Sequence, residues 1–187
     1  MFDKLKKHNL QKLAYAIEKK EVDKPAQSLL KIINAKKDFF TSSSCYGRIL
    51  LIDFVGIKGK SKFIARWHRK VSFSEVKKAL INSFGKQIWL RMEPFILHIS
   101  CRNLLAAKKI LKIKNKLTFK RGGVFHITDN RVQVELEGTQ RMEALVKIGN
   151  KQVVSDSLLK KLVQVANERF AKNSKDWNKL KKEIKNL

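Results

Sequence analysis

Apolar residues recur at helical spacing from the first turn of the chain: Phe2, Leu5, Leu10, Leu13 and Ile17 line one face of an amphipathic helix. Asp23 stands where an N-cap would, and Pro25 suits the opening turn of a second helix. Leu29, Leu30, Ile32 and Ile33 give that helix its apolar side to about Lys37. A hydroxyl-rich loop, TSSSCYGR, follows. YGRILLIDFV then reads as a strand whose middle does not alternate, which predicts burial on both faces. GIKGK, over 56–60, is a predicted turn and KFIARWH a second strand. Ser72 and Glu75 form a capping box for a helix to about Phe84. KQIWLRM and PFILHISC are strand-like, with Pro94 between them, and Asn103 caps a helix to about Asn115. GVFHIT, RVQVELE and MEALVKI alternate, and are expected to form a meander with turns at TDN and GT. Ser155 or Asp156 opens a long last helix carrying Leu158, Leu162, Val165 and Phe170. Its polar, basic end, from about 171 to 187, is expected to fray.

Helices interspersed with strands and a closing meander predict an α+β fold: one domain over 1–187, with a mixed β-sheet flanked by helices. The chain has 187 residues, 43% of them hydrophobic, enough for a core of that size. No apolar run approaches the roughly 20 residues of a membrane span. The first twenty residues lack the apolar centre of a signal peptide, so a cytoplasmic protein without membrane contact is expected. Cys45 and Cys101 are far apart and form no CxxC pair, so neither a metal site nor a disulfide framework is indicated.

Charge narrows the class of partner. The formal net charge is +26 and the pI about 10.3, a field that attracts polyanions, of which nucleic acid is the commonest in the cytoplasm. From Phe54 to Thr128 the only acids are Glu75 and Glu93, and from Pro94 to Thr128 there are none. Arg102, Lys112, Lys116, Lys120 and Arg121 fall in that acid-free stretch and are the expected contacts to RNA phosphates. Trp67 and Trp89 can stack on bases, although strand tryptophans more often belong to a core.

No glycine-rich loop follows the first strand and there is no P-loop, so the ordinary nucleotide-binding signatures are absent. The stretch TSSSCYGR carries the chemistry instead. Its hydroxyls, and backbone amides freed by Gly47, can line a pocket for a carboxylate, a phosphate or a hydroxylated ligand, and Arg48 can grip a carboxylate. On these residues alone, a polar turn and a ligand pocket remain equal readings.

TSSSCYGR resembles the TTSSCSGR signature of the wybutosine-pathway tRNA N(4)-methyltransferases. VDKPAQSLLKIIN, WHRKVSFSEVKKAL, MEPFILHISCRNLLAAKKIL and MEALVKIGNKQVVSDSLLKKLVQVANERF are similar, in order, to further segments of that family, so Val22 to Phe170 is covered. Tyr46, Arg69 and the run Arg121, Gly122, Gly123, Val124 depart from its pattern. The resemblance implies a fold that is not a Rossmann methyltransferase and S-adenosylmethionine as cofactor. It implies methylation of a ring nitrogen of the tricyclic base at position 37 of phenylalanine tRNA. It assigns Ser43, Ser44, Cys45, Gly47 and Arg48 to the cofactor, and His68, Glu93 and His98 to catalysis. The competing reading is a basic RNA-binding protein without enzymatic activity. Charge suits it equally, but it has no use for the serine stretch.

Overall fold

The computed structural model describes residues 1–54, 56 and 61–187. The chain opens with α1 (Phe2–Glu18), α2 (Lys24–Ala35) and β1 (Phe39–Cys45). It continues through β2 (Arg48–Asp53), β3 (Lys62–Trp67), α3 (Phe73–Ile81) and β4 (Gln87–Glu93). Then come β5 (Ile96–Cys101), α4 (Leu104–Lys116), β6 (Arg121–Thr128) and β7 (Arg131–Glu137). Last are β8 (Met142–Ile148), the short β9 (Lys151–Gln152) and α5 (Asp156–Lys185). These elements build two compact units, neither of them contiguous in sequence. The first comprises Met1–Tyr46, Phe95–Thr139 and Ser174–Leu187; the second comprises Gly47–Pro94 and Gln140–Asn173.

The α+β class holds, but where one mixed sheet was expected there are two. The first unit contains the sheet β1-β5-β7-β6 and the second the sheet β3-β2-β4-β8-β9. Every strand pair among the described residues is antiparallel. Two breaks send consecutive strands to different sheets. Gly47, at φ 99°, takes a left-handed turn between β1 and β2 that side chains resist. Pro94, between β4 and β5, has no N–H to give a ladder. The expected meander is likewise corrected. β7 already has β5 on one side and β6 on the other, so β8 finds its free edge on β4.

Two more expectations change. The serine stretch is not a loop: Phe39–Cys45 is strand β1, paired with β5 through a bulge between Thr41 and Ser43. The end of the chain does not fray, because Trp177, Leu180 and Ile184 are fully buried on one face of α5. The expected turn over 56–60 lies, Gly56 apart, outside the described residues.

Capping follows the sequence closely. Ser72 and Glu75 form the reciprocal capping box of α3, Asn103 accepts from the Ala106 amide, and the Ser155 hydroxyl accepts from the Leu158 amide. α3 stops at Ile81, short of Phe84. There the buried Lys147 ammonium donates to the carbonyls of Leu80 (3.0 Å) and Ser83 (2.7 Å), closing the helix end. In the second unit β2 is buried on both faces through Ile49, Leu50, Leu51 and Ile52, as its unbroken apolar run predicts.

Candidate active site

The sheet of the first unit is two-faced. Leu97, Ile99, Cys101, Val132, Val134 and Leu136 are buried on one side. The alternating positions of β5 and β7 on the other side include His98, Gln133 and Glu135, all half-buried. Burial pushes the Cys101 thiol up to about 12, which leaves it a packing residue.

Register brings the polar face together. Ser43 is the partner of His98, His98 of Glu135, and Glu135 of Gly123, so one row crosses β1, β5, β7 and β6. His98 Nε2 lies 2.8 Å from Glu135 Oε2, and its ring lies 4.8 Å from that of Phe125 on β6. A carboxylate accepts, so Nε2 donates in this bond, and in the neutral ring that leaves Nδ1 as the acceptor nitrogen. Glu135 and Phe125 escape the sequence. RVQVELE alternates so regularly that Glu135 looks like any other exposed-face residue, and only its register opposite His98 sets it apart.

α2 fixes the serine strand at both ends. The Asn34 amide group donates to Thr41 Oγ1 at 2.9 Å and accepts from the Thr41 N–H at 2.8 Å. This occupies a main-chain donor on an edge strand that would otherwise be open to pairing. Asp23 is the N-cap residue of α2, but its carboxylate does not cap the helix; it accepts from the Tyr46 N–H at 2.8 Å. Between these two anchors Ser42, Ser43 and Ser44 line a cavity of about 300 Å³, together with Asn9, Lys12 and Glu21. That volume is at the lower end for small-molecule sites. Cys45, half-buried, follows Ser44 at the end of β1.

The remaining expected residues belong to the second unit. Arg48, at the start of β2, donates from Nε to Glu93 Oε2 on β4 at 2.7 Å, and its guanidinium lies 5.0 Å from the Phe63 ring centroid. Gly47 precedes it in the left-handed conformation already described. His68 follows β3 at a bend and is half-buried. Within the first unit Ser43 is the register partner of His98, and within the second Arg48 is bonded to Glu93.

The cations also sort. On α4, Ala106, Ala107, Ile110 and Ile113 are buried, which leaves Lys108, Lys109, Lys112 and Lys116 as an exposed basic stripe. Lys120 and Arg121 continue it onto β6, and Lys116 also reaches Glu183 at 2.8 Å. Arg102 differs: its guanidinium bonds Asp3 at 2.6 Å and Asp38 at 2.8 Å and lies 4.5 Å from the Phe2 ring centroid. Hydrogen bonding to Asp3 and Asp38 raises its pKa further and neutralises much of its field.

A basic α+β protein with a polar sheet face, a serine-lined cavity and no parallel Rossmann sheet among its described residues is the class these features define. Residues 4–186 match the family Methyltransferase TYW3, and the chain belongs to that family. The resemblance of the serine stretch and its flanking segments is thereby borne out. A relative from Pyrococcus abyssi is named tRNA(Phe) 7-((3-amino-3-carboxypropyl)-4-demethylwyosine(37)-N(4))-methyltransferase 1. It is 34% identical over 188 residues, covering 100% of this chain and 97% of its own. One from Archaeoglobus fulgidus, named as the same methyltransferase without the final number, is 34% identical and covers 100% of this chain and 95% of its own. Among solved structures, the PH1069 protein from Pyrococcus horikoshii is similar at a TM-score of 0.93 and 32% identity, over 98% of this chain and 95% of that one. A hypothetical protein from Aeropyrum pernix is similar at 0.78 and 26% identity, over 88% and 98%.

Proposed function

We propose that this chain transfers a methyl group from S-adenosylmethionine to the N(4) ring nitrogen of the tricyclic wyosine-type base at position 37 of phenylalanine tRNA, in the cytoplasm. The observation that carries this reading is the family match over residues 4–186, with relatives named as tRNA(Phe) N(4)-methyltransferases aligned along the whole chain.

The serine cavity suits the amino-acid end of the donor. It offers three serine hydroxyls, the Lys12 cation for a carboxylate and the Glu21 anion for an ammonium group. Ser43 and Ser44 are the proposed holders of the donor there. Cys45, Gly47 and Arg48 continue the same sequence stretch and carry the same assignment. When bound, the sulfonium supplies an already activated methyl group, so the protein's task is alignment.

His98 acts as the proton acceptor. With Nε2–H held by Glu135, Nδ1 takes the proton that the ring nitrogen releases as it gains its methyl. Glu93 supports Arg48, and His68 is the alternative acceptor. The basic stripe of Lys112, Lys116, Lys120 and Arg121 holds phosphates without reading sequence, Arg102 contributing least because of its carboxylate partners. The test is transfer of labelled methyl from S-adenosylmethionine to tRNA carrying the 4-demethylated base, followed by nucleoside mass spectrometry. One added methyl on the tricyclic base is the expected result; no transfer, or label on another nucleoside, would sink the reading.

A further inference from the structure

We propose that the open pleat beside Gly123, walled by His98 and Glu135 and floored by Phe125, is where the target base sits, with Phe125 as its stacking platform. This rests on the methyltransferase reading above.

The two neighbouring glycines of β6 have different reasons to be there. Gly122 has φ +82°, and a Cβ on it would stand 2.2 Å from the Glu135 carbonyl oxygen, so the backbone requires glycine. Nothing among the described residues requires Gly123. A Cβ built on it meets nothing within 4 Å. Strand interiors favour β-branched and aromatic residues, and a strand glycine without a backbone cause marks close approach by something else. Gly123 is the register partner of Glu135, which in turn faces His98. Cross-strand partners place their side chains roughly 5 Å apart, so an occupant over Gly123 abuts the His98–Glu135 pair.

Phe125 identifies the kind of occupant. It is 50% exposed, lies 4.8 Å from the His98 ring, and is itself the extra residue of the bulge that interrupts β6 between Val124 and His126. Bulges re-aim side chains at functional places. An exposed aromatic on a strand that begins at Arg121, directly after Lys120, is the composition that takes a base from single-stranded nucleic acid, stacked on its face while cations hold the backbone. A second copy of the chain could instead pair on the open β6 edge, but a net charge of +26 on each copy opposes that.

The experiment uses the full chain with Gly123→Leu, Phe125→Ala and Phe125→Trp. It measures melting, S-adenosylmethionine binding by calorimetry, and steady-state methylation of tRNA carrying the 4-demethylated base. Stacking is worth about 1–3 kcal/mol per base, so Phe125→Ala should lose roughly five-fold to more than a hundred-fold in kcat/KM. Phe125→Trp should recover most of it, since stacking and not shape is lost. Gly123→Leu should fold and bind S-adenosylmethionine like the parent, yet raise KM for tRNA about ten-fold or more. An active parent with Phe125→Ala and Gly123→Leu variants of parental kinetics would place the base elsewhere. A parent dimer that Phe125→Ala dissociates would make the face a contact between copies and overturn the proposal. A parent that transfers no methyl would remove the methyltransferase reading itself.

Discussion

Arg48 and Glu93 are register partners in the ladder between β2 and β4, and they close a 2.7 Å ion pair beside the Phe63 ring. Glu93 engages Nε, one edge of a guanidinium fork that can serve two partners. If Arg48 grips the donor, Arg48→Ala removes a charge-assisted contact worth on the order of 1.5–3 kcal/mol. Calorimetry should then show roughly ten-fold to more than a hundred-fold weaker S-adenosylmethionine binding. Ser44→Ala should lose about 1 kcal/mol, near five-fold. If both variants bind like the parent and only melt earlier, the stretch is structural.

Trp177 is fully buried, with Tyr46 and Phe95 each 5.4 Å away by ring centroid. Trp177→Ala should cost about 3–5 kcal/mol of stability. Equilibrium denaturation would show this as a lower midpoint; an unchanged midpoint would mean that the end of α5 contributes nothing to its unit.

Glu75 gives an acid-sensitive element. Hydrogen bonds from Arg69 first, and then from the Ser72 amide and hydroxyl, hold its carboxyl down to about 2. Because the folded value is depressed, the unfolded chain takes the proton first. The stabilisation is therefore complete above the ordinary carboxylate range and disappears as pH falls toward about 2. Melting followed downward in pH should show a shallower acid decline in Glu75→Gln than in the parent. Parallel declines would show that the capping box adds no pH dependence.

Binding of tRNA should weaken steeply with salt. Replacing Lys112, Lys116 and Arg121 by glutamine should reduce the magnitude of the log–log slope by about 2–3, one neutralised phosphate contact each. S-adenosylmethionine affinity should be untouched. An unchanged slope would take this stripe out of the interface. Glutamine is chosen because a reversed charge at Lys116 would repel Glu183.

Local signals read well because local energetics decide them. The capping box of α3, the Asn103 cap and the alternation of β7 are each set by residues three or fewer positions apart. The serine strand was hidden because hydroxyl side chains favour turns. Here the anchors that hold the strand and Tyr46 after it come from Asn34 on the preceding helix and from Asp23 at that helix's N-cap. The strand partners were hidden for a related reason. Nothing within MEALVKI says that β7 has no edge left for it. In α5, Trp177, Leu180 and Ile184 keep a helical period, but lysines and asparagines surround them and mask it. Of the candidate site, the sequence exposes His98 and the serines as residue types. Their union with Glu135 and Phe125 is a matter of register, which no single segment contains.

The interleaving of the two units sets a clock on synthesis. The core of the first unit needs Phe40 from early in the chain, Phe95 from its middle and Trp177 from near residue 180. A ribosome adding about 5–20 residues per second takes on the order of ten seconds to travel from the serine strand to that tryptophan. Throughout this interval the nascent chain carries the serine segment without the aromatic residue that packs against Tyr46. The first unit can mature only after Trp177 has been added, so a nascent chain stalled before it presents proteases with an unfinished core.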